Sequence, residues 1–283
     1  MGRREKILDG LAVANLIGVE IGALDKPLVR KSDGAVYYVD HCDTDTLKSR
    51  WKNDPGVNND ALWVDAVWGQ SSLAEALASG HSPNSEKWSG ADYVVASHVI
   101  EHVPDLVSWL REIDEIVRPG GTVRLAIPDK RYCFDYLREP STFADVVSEF
   151  IRRRRVPGAN RILDCTLNMT TIDCGKAWRG QIVDSELERI YTVEDAIAIA
   201  TDAEVNGSYH DVHCWVFTPE SFTGLMHDLA RAKLLSFKCE WLVQTVWDDL
   251  EFFTCMSRAE DHEEAAASWK AAAGKLEPSP PGA

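Results

Sequence analysis

The chain has 283 residues, 45% of them hydrophobic, which is enough for one large core or for a core and a smaller lobe. Forty-five acidic against thirty basic residues give a net charge of −15, which excludes nucleic acid and anionic membranes as expected partners. Seven cysteines without a Cys-x-x-Cys pair fit neither a disulfide framework nor a zinc site, so we expect a reducing compartment.

The opening stretch MGRREKILDGLAVANL lacks the apolar block of roughly 7–15 residues that a signal peptide carries. No run approaches the ~20 apolar residues of a membrane span. We therefore expect a cytoplasmic protein whose partner is a small molecule, and the sequence is compatible with a homodimer.

Short β-rich segments alternate with helical patterns in the first half of the chain. The predicted strands are Leu16–Ile21, Ala35–Val39, Ala61–Val67, Ala91–Ser97 and Thr122–Ile127. Before the fifth strand, Leu106, Leu110, Ile113 and Val117 recur at helical spacing, and the Arg-Pro-Gly-Gly sequence at 118–121 predicts the end of that helix. This alternation predicts an α/β fold with a doubly wound, mainly parallel, Rossmann-like sheet.

The alternation stops in the second half of the chain. Residues 130–211 contain helical and loop-like sequence, which predicts an inserted helical cap that selects the substrate. A helix then begins at Pro219, with Thr218 as its N-cap, and two strands follow within 236–247 and 250–257. The predicted core is therefore 1–129 and 212–258, with seven strands, and 259–283 is a C-terminal helix with a frayed PSPPGA tail.

The ends of the predicted strands indicate the kind of cofactor. The first strand ends in Glu20-x-Gly22, but the five residues after Gly22 contain none of the further glycines that a dinucleotide site needs. A ligand with ribose and adenine but no phosphate, such as S-adenosylmethionine, needs only one glycine and strand-end acids. We expect Asp40 to bind the ribose, Asp65 to bind the adenine amino group, and Glu20 and Gly22 to line the methionine end. A single acid at a strand end is also typical of a helix cap. Acids at the ends of three successive strands favour a cofactor site.

Four segments resemble the class I S-adenosylmethionine-dependent methyltransferases, in the branch with a shortened first helix and a Glu-His signature after the fourth strand. They are VEIGA, YYVDHCD, WVDAVW and ADYVVASHVIEHVPDLVSWLREIDEIVRPGGTVRLAIPD. The resemblance covers about 15–130 and 212–256. Members of this family methylate sugars, quinones, lipids, RNA and small acids. It implies cofactor contacts from Glu20, Gly22, Ala23, Asp40, His41, Asp65, Ala66, Ser97 and His98.

The sequence His98-x-x-Glu101-His102 is the main catalytic candidate. On the first turn of a helix these positions share one face, which would bring two imidazoles and a carboxylate to the methyl end of the cofactor. Such a set can bind a divalent metal, magnesium or manganese, or act as a general base, or only pack and cap. It resembles the Glu-x-x-Glu-His metal set of some ubiquinone-pathway and small-RNA O-methyltransferases, with His98 in place of the first glutamate.

Further candidates flank the predicted cap. His210 and His213 precede the returning helix, Asp129 ends the fifth strand, and either His213 or Asp129 is expected to complete the catalytic set. Four more residues open the cap and are candidates for the substrate mouth: Lys130, Arg131, Tyr132 and Asp135. For Lys130 and Arg131 a plain surface position is the alternative.

The ten tryptophans point to the class of acceptor. Several, such as Trp68, Trp178 and Trp215, lie outside the predicted core strands, and flat amphipathic rings suit sugar faces. We predict an O-methyltransferase that acts on a hydroxyl of a saccharide or of another polyhydroxylated small molecule. The alternatives are a carboxyl or lipid O-methyltransferase, which needs no strong base, and a catalytically silent binding protein of the same fold.

Overall fold

The structure is a computed structural model that describes residues 2–69, 71–81 and 87–277. The predicted PSPPGA tail lies outside these residues. Within the described part of the chain, no helix is both long enough and apolar enough to cross a membrane.

One sheet of seven strands organises the fold, in the order β3-β2-β1-β4-β5-β7-β6. The strands are β1 (Ile17–Ile21), β2 (Ala35–Asp40), β3 (Ala66–Val67), β4 (Ala91–Ser97), β5 (Val117–Pro128), β6 (Phe237–Val243) and β7 (Glu251–Arg258). The pairs β1–β2, β1–β4 and β2–β3 are parallel, with Gly18 opposite both Val36 and Tyr93. The prediction of an α/β fold with a mainly parallel seven-stranded sheet is confirmed.

Ten α-helices are described. They are α1 (Arg3–Ile7), α2 (Thr44–Arg50), α3 (Leu73–Ser79), α4 (Leu106–Ile116), α5 (Phe143–Arg152), α6 (Ala159–Asn168), α7 (Cys174–Trp178), α8 (Val193–Asn206), α9 (Pro219–Arg231) and α10 (His262–Ala273). As predicted, Thr218 caps α9, and its side chain accepts a hydrogen bond from the Ser221 amide. Asp261 caps α10 in the same way.

The chain divides into two compact units. Unit 1 comprises Met1–Val99, Leu110–Leu125 and Cys255–Arg258, and unit 2 comprises Ile100–Trp109, Ala126–Thr254 and Ala259–Ala283. All of the segment 130–211 belongs to unit 2. The boundaries of the predicted substrate cap stay a prediction.

The third strand is shorter than predicted. Asn59–Ala61 forms a 3-10 turn. The Val64 amide donates to the Thr44 hydroxyl and not to a neighbouring strand, so Val64 does not pair in the sheet either. Consequently β3 has only two residues, and Asp65 stands before β3. The expectation that Asp65 lies at the carboxyl end of its strand was wrong.

The fifth strand begins earlier than predicted. Val117 and the following Arg-Pro-Gly-Gly sequence belong to β5, whereas we predicted that they end the preceding helix. A Cβ at Gly121 would lie 2.9 Å from the Asp92 carbonyl oxygen, so glycine permits a close approach between backbones there. The Arg118 guanidinium donates to the Asp92 carboxylate at 2.9 Å and fixes this end of the strand.

Candidate cofactor and histidine sites

In unit 1, the turn after β1 requires a glycine. Gly22 has a φ of 70°, and a Cβ at this position would lie 2.7 Å from Val99 Cγ2. Its amide donates to the Val39 carbonyl at 2.9 Å, which draws the end of β1 toward β2. The next residue, Ala23, is buried. The sequence motif therefore marks a real backbone constraint at the predicted methionine end.

Glu20 holds the connection between β1 and β2, which contains no helix. Its buried carboxylate accepts hydrogen bonds from the Leu28 amide at 2.7 Å and from the Val29 amide at 2.9 Å. Burial raises the pKa of Glu20 to about 7, against the opposing effect of these two amides and of the Arg4 charge. Both carboxylate oxygens thus serve the loop, and a contact with the cofactor stays a prediction.

Asp40 ends β2, as the sequence predicted. Its Oδ1 accepts from the His41 amide at 2.7 Å and lies 2.6 Å from His41 Nδ1. The other ring nitrogen of His41, Nε2, lies 2.7 Å from Arg50 Nη1. The chain Arg50–His41–Asp40 orients the acid that we expect to bind ribose.

Asp65 is buried and already receives several protein donors. Its Oδ2 accepts from the Tyr38 amide at 2.7 Å and from the Lys31 ammonium, and its Oδ1 accepts from the Trp63 indole at 2.8 Å. The neighbouring Ala66 is buried in β3. These bonds account for the burial of the carboxylate. An adenine contact from Asp65 stays a prediction.

The predicted helical face of His98, Glu101 and His102 was wrong. β4 ends at Ser97, and His98 has a φ of 55°, a left-handed backbone that a non-glycine residue rarely adopts. Ile100–His102 forms a single 3-10 turn, and α4 begins only at Leu106. Without an α-helical turn, i, i+3 and i+4 do not form one face, and strained residues of this kind are common at functional sites.

Unit 2 instead brings together Glu101, His102 and His213, which we call the histidine cluster. One potential ligand atom of each residue lies within 4.8 Å of the others, and His98 is not a member of this group. Glu101 Oε1 lies 4.0 Å from His102 Nε2 and 3.9 Å from His213 Nε2. The two imidazole rings meet edge to face, with centroids 4.6 Å apart.

Backbone bonds bring the two parts of the cluster together. The Glu101 carbonyl accepts from the Cys214 amide at 2.6 Å and from the Trp215 amide at 3.1 Å. The buried Trp215 indole donates to the Val103 carbonyl at 2.6 Å. The segment that carries His213 is therefore fixed to the turn that carries Glu101 and His102.

An aspartate holds the imidazole of His213. His213 Nδ1 lies 2.5 Å from Asp135 Oδ2, and Arg138 donates to Asp135 Oδ1 at 2.6 Å. Burial raises the pKa of Asp135, but His213 and Arg138 outweigh that effect and lower it below the ordinary value. A carboxylate at this position can accept a hydrogen bond from the Nδ1–H group, and Nε2 is the ring nitrogen on the side of Glu101.

A second aspartate holds His102. His102 Nδ1 lies 2.8 Å from Asp211 Oδ1, an oxygen that accepts a hydrogen bond from the Tyr209 hydroxyl at 3.1 Å. Burial lowers the pKa of His102, but the hydrogen bond to Asp211 and the charge of Glu101 outweigh it, so the pKa is raised. The cluster therefore contains two imidazoles whose Nδ1 atoms contact carboxylates and whose Nε2 atoms face a third.

Asp129, a predicted catalytic residue, does not belong to this cluster. It is fully buried and caps a 3-10 turn at Lys130–Tyr132. Arg131 donates to both of its oxygens, at 2.9 and 2.6 Å, and the Thr245 hydroxyl donates to Oδ2 at 2.7 Å. These bonds give Asp129 a structural role, and a catalytic one stays a prediction.

The sequence did not indicate the residues that support the cluster. Asp135 was predicted at the substrate mouth, whereas the structure buries it in contact with His213. Arg138 and Asp211 were not singled out. The only local signal was the sequence His210-Asp211-Val212-His213, which places an acid beside two histidines. His210 itself pairs with Asp202, at 2.6 Å.

The chain was compared with known protein families, sequences and structures. A sequence profile described as a methyltransferase domain matches residues 13–229. No curated protein sequence matches the chain.

Similar solved structures include a Rhodobacter sphaeroides protein described as a Zn-dependent alcohol dehydrogenase, at 14% identity and a TM-score of 0.47, covering 90% of this chain and 88% of that one. The CcbJ methyltransferase from Streptomyces caelestis has 11% identity and a TM-score of 0.44, covering 90% and 89%. An S-adenosylmethionine-dependent methyltransferase from Mesorhizobium loti has 13% identity and a TM-score of 0.40, covering 87% and 93%.

Proposed function

The chain belongs to the methyltransferase-domain family and is an S-adenosylmethionine-dependent methyltransferase; from this premise we propose that it methylates a hydroxyl of a saccharide or of another polyhydroxylated small molecule. One observation supports a hydroxyl acceptor above all. Two imidazoles with aspartate-bound Nδ1 atoms face the carboxylate of Glu101 in unit 2. An acceptor that is already ionised, such as a carboxylate, needs no such base.

In this proposal unit 1 binds the cofactor. The acid at the end of β2, Asp40, accepts the ribose hydroxyls, and His41 keeps its Oδ1 in place, so that Oδ2 is the oxygen offered to the ligand. The turn at Gly22 lets the backbone approach the methionine end. Because the turn lacks the glycines of a pyrophosphate cradle, we expect no binding of a dinucleotide.

The acceptor oxygen must approach the sulfonium methyl in line, so positioning supplies much of the rate. A sugar hydroxyl is also weakly acidic and reacts slowly unless its proton is removed. In the proposed step His213 Nε2 takes this proton while the oxygen forms its bond to the methyl carbon and the carbon–sulfur bond breaks. Asp135, as an anion, stabilises the imidazolium that results.

The same cluster has a donor set that fits a divalent cation. Glu101, His102 and His213 would hold it, and the aspartates on both Nδ1 atoms resemble the carboxylate partners that commonly orient metal-bound histidines. Two nitrogen donors favour manganese over magnesium. A bound cation would supply Lewis-acid activation of the acceptor hydroxyl.

The test is transfer of labelled methyl from S-adenosylmethionine to a panel of sugars, fatty acids and phenols. We expect a sugar to be labelled, and His213→Ala to reduce turnover by ~10²–10⁴-fold with little change in cofactor affinity. His227→Ala is the matched control, because this half-buried histidine of unit 2 contacts only the Ala266 carbonyl among the hydrogen bonds described. Its turnover should stay near wild type.

Other results of the methyl-transfer assay would distinguish the alternatives. Loss of activity with a chelator, restored by manganese or magnesium, supports the cation, and insensitivity supports the histidine alone. Labelling of a fatty acid by wild type and His213→Ala at equal rates would contradict a hydroxyl acceptor. Cofactor binding without transfer to any acceptor of the panel would support a catalytically silent protein.

A further inference from the structure

Three aromatic side chains of unit 2 form a stack that ends in solvent. The rings of Tyr132 and Trp178 are nearly parallel, at 3°, with centroids 4.0 Å apart. Trp247 continues the stack at 5.7 Å from Trp178, tilted by 47°. The exposed fraction rises from 1% at Tyr132 through 8% at Trp178 to 63% at Trp247. The exposed indole of Trp247 is therefore supported by two buried aromatic rings.

The stack is anchored rather than loosely attached. The Trp178 indole donates to the Asp249 carbonyl at 2.8 Å, which ties α7 to the loop between β6 and β7. The same loop is bound to the end of β5, because the Thr245 hydroxyl donates to Asp129 at 2.7 Å and the Asp129 amide donates to the Leu250 carbonyl at 2.8 Å. Ligands of sheets of this kind bind beyond the carboxyl ends of the strands, and β5 ends here.

The surroundings of the stack are acidic. Asp173 caps α7, and Asp248 and Asp249 follow Trp247 directly. All three are close enough to Cys174 to raise its pKa, after the larger effect of burial. Carboxylates accept hydrogen bonds from hydroxyl and ammonium groups and repel anions. An exposed aromatic face on a loop that also carries carboxylate acceptors has the chemistry of a sugar site.

We infer that the outer face of Trp247 is a saccharide subsite, which stacks the apolar face of a neutral or amino-sugar pyranose ring while the neighbouring aspartates accept its hydrogen bonds. This inference rests on the proposed function for the class of acceptor. The negative charge at the site excludes uronic acids and phosphorylated sugars. The subsite binds a ring of the acceptor and takes no part in the proton transfer assigned to the histidine cluster.

The test measures binding, so it needs no turnover. Cellobiose, a glucosamine disaccharide and digalacturonate are titrated into the full chain with S-adenosylhomocysteine present, by saturation-transfer NMR and calorimetry. We expect the first two to bind and digalacturonate not to bind. Trp247→Ala should weaken binding at least ~10-fold, while Trp247→Tyr, which keeps an aromatic face, should retain most of it.

Val246→Ala is the matched control, since Val246 is the exposed aliphatic neighbour of Trp247. Equal loss of sugar binding in Val246→Ala and Trp247→Ala, or no loss in a folded Trp247→Ala variant, would overturn the subsite. So would a wild-type chain that binds none of the three sugars. A wild-type dimer that becomes a monomer on Trp247→Ala would overturn it too, because the indole would then belong to an interface.

The two proposals fail in different ways. Tryptophan-dependent sugar binding without methyl transfer to any hydroxyl would retain the subsite and contradict the proposed reaction. Histidine-dependent methyl transfer to a sugar with an unchanged KM in Trp247→Ala would retain the reaction and contradict the subsite.

Discussion

His213 and Asp135 form a buried pair in which Nδ1 and Oδ2 are 2.5 Å apart, and Arg138 fixes the carboxylate from the other side. This contact determines which nitrogen of His213 carries the proton. In the reaction that we propose, it also keeps an anion next to the imidazole that accepts the proton. In that reaction Asp135 is a positioning residue, and Arg138 acts through it.

Asp135→Asn should reduce kcat by ~10²–10⁴-fold and leave the cofactor Kd within a few-fold. The neutral amide that replaces the carboxylate would not stabilise the imidazolium of His213. The measurements are steady-state kinetics, calorimetry with S-adenosylhomocysteine and thermal unfolding.

Asp164→Asn is the control for Asp135→Asn. Asp164 is the other carboxylate partner of Arg138, at 2.8 Å, and does not contact His213. We expect a much smaller loss of kcat. Comparable losses in the two variants would mean that charge in this region matters, and not the contact with His213.

The pH dependence should also respond to Asp211. The hydrogen bond from His102 to Asp211 helps to raise the pKa of His102, so Asp211→Asn should lower that pKa. Without its anionic partner the His102 imidazolium is less stable, so it loses its proton at lower pH. NMR titration of the His102 ring measures this shift directly. An unchanged titration midpoint would show that Asp211 does not raise the pKa of His102.

Glu20 should make the stability depend on pH. Its pKa is about 7 in the folded protein against an ordinary value near 4.5, so the folded state binds the extra proton between these values. Stability from this group is therefore lost as pH rises from about 4.5 to about 7, by up to about 3 kcal/mol.

Glu20→Gln removes this titration. The variant should lose stability overall, because one amide of the loop loses its acceptor, but its deficit should shrink as pH rises. Urea unfolding of both proteins at pH 5 and pH 8, without cofactor, measures the difference. A deficit that stays constant with pH would contradict the raised pKa.

Gly22→Ala should destabilise unit 1 by ~1–3 kcal/mol and weaken cofactor binding. The substitution combines a strained φ of 70° with a contact of 2.7 Å to Val99 Cγ2. Gly224→Ala is the matched control, because a Cβ there meets nothing within 4 Å and the site lies inside α9. That variant should gain up to ~1 kcal/mol of stability, since alanine favours helix.

Local sequence patterns predicted the parts of the fold that depend on near neighbours. The observed β4 has the predicted bounds Ala91–Ser97, and Thr218 and Pro219 begin α9 as expected. Asp40 lies at the end of β2, where the apolar run that predicted this strand stops. The single glycine at position 22 correctly indicated a tight turn.

The histidine cluster was predicted only in part, because its geometry depends on contacts distant in sequence. Spacing suggested an α-helical turn at His98, but the left-handed φ of that residue prevents it. The partners of the two imidazoles, Asp135 and Asp211, lie in other segments of unit 2 and show no periodic signal. Residue types alone indicated the chemistry, and only the fold determines which side chains meet.

The bond between the Trp215 indole and the Val103 carbonyl joins residues 112 positions apart. A contact between residues so distant in sequence forms slowly, because the chain loses the entropy of closing a long loop before the hydrogen bond forms. During synthesis from the N-terminus, the segment with Asp40 and Gly22 emerges long before His213 does. Asp40 and Gly22 thus leave the ribosome early, whereas the histidine cluster can assemble only when translation has passed residue 215.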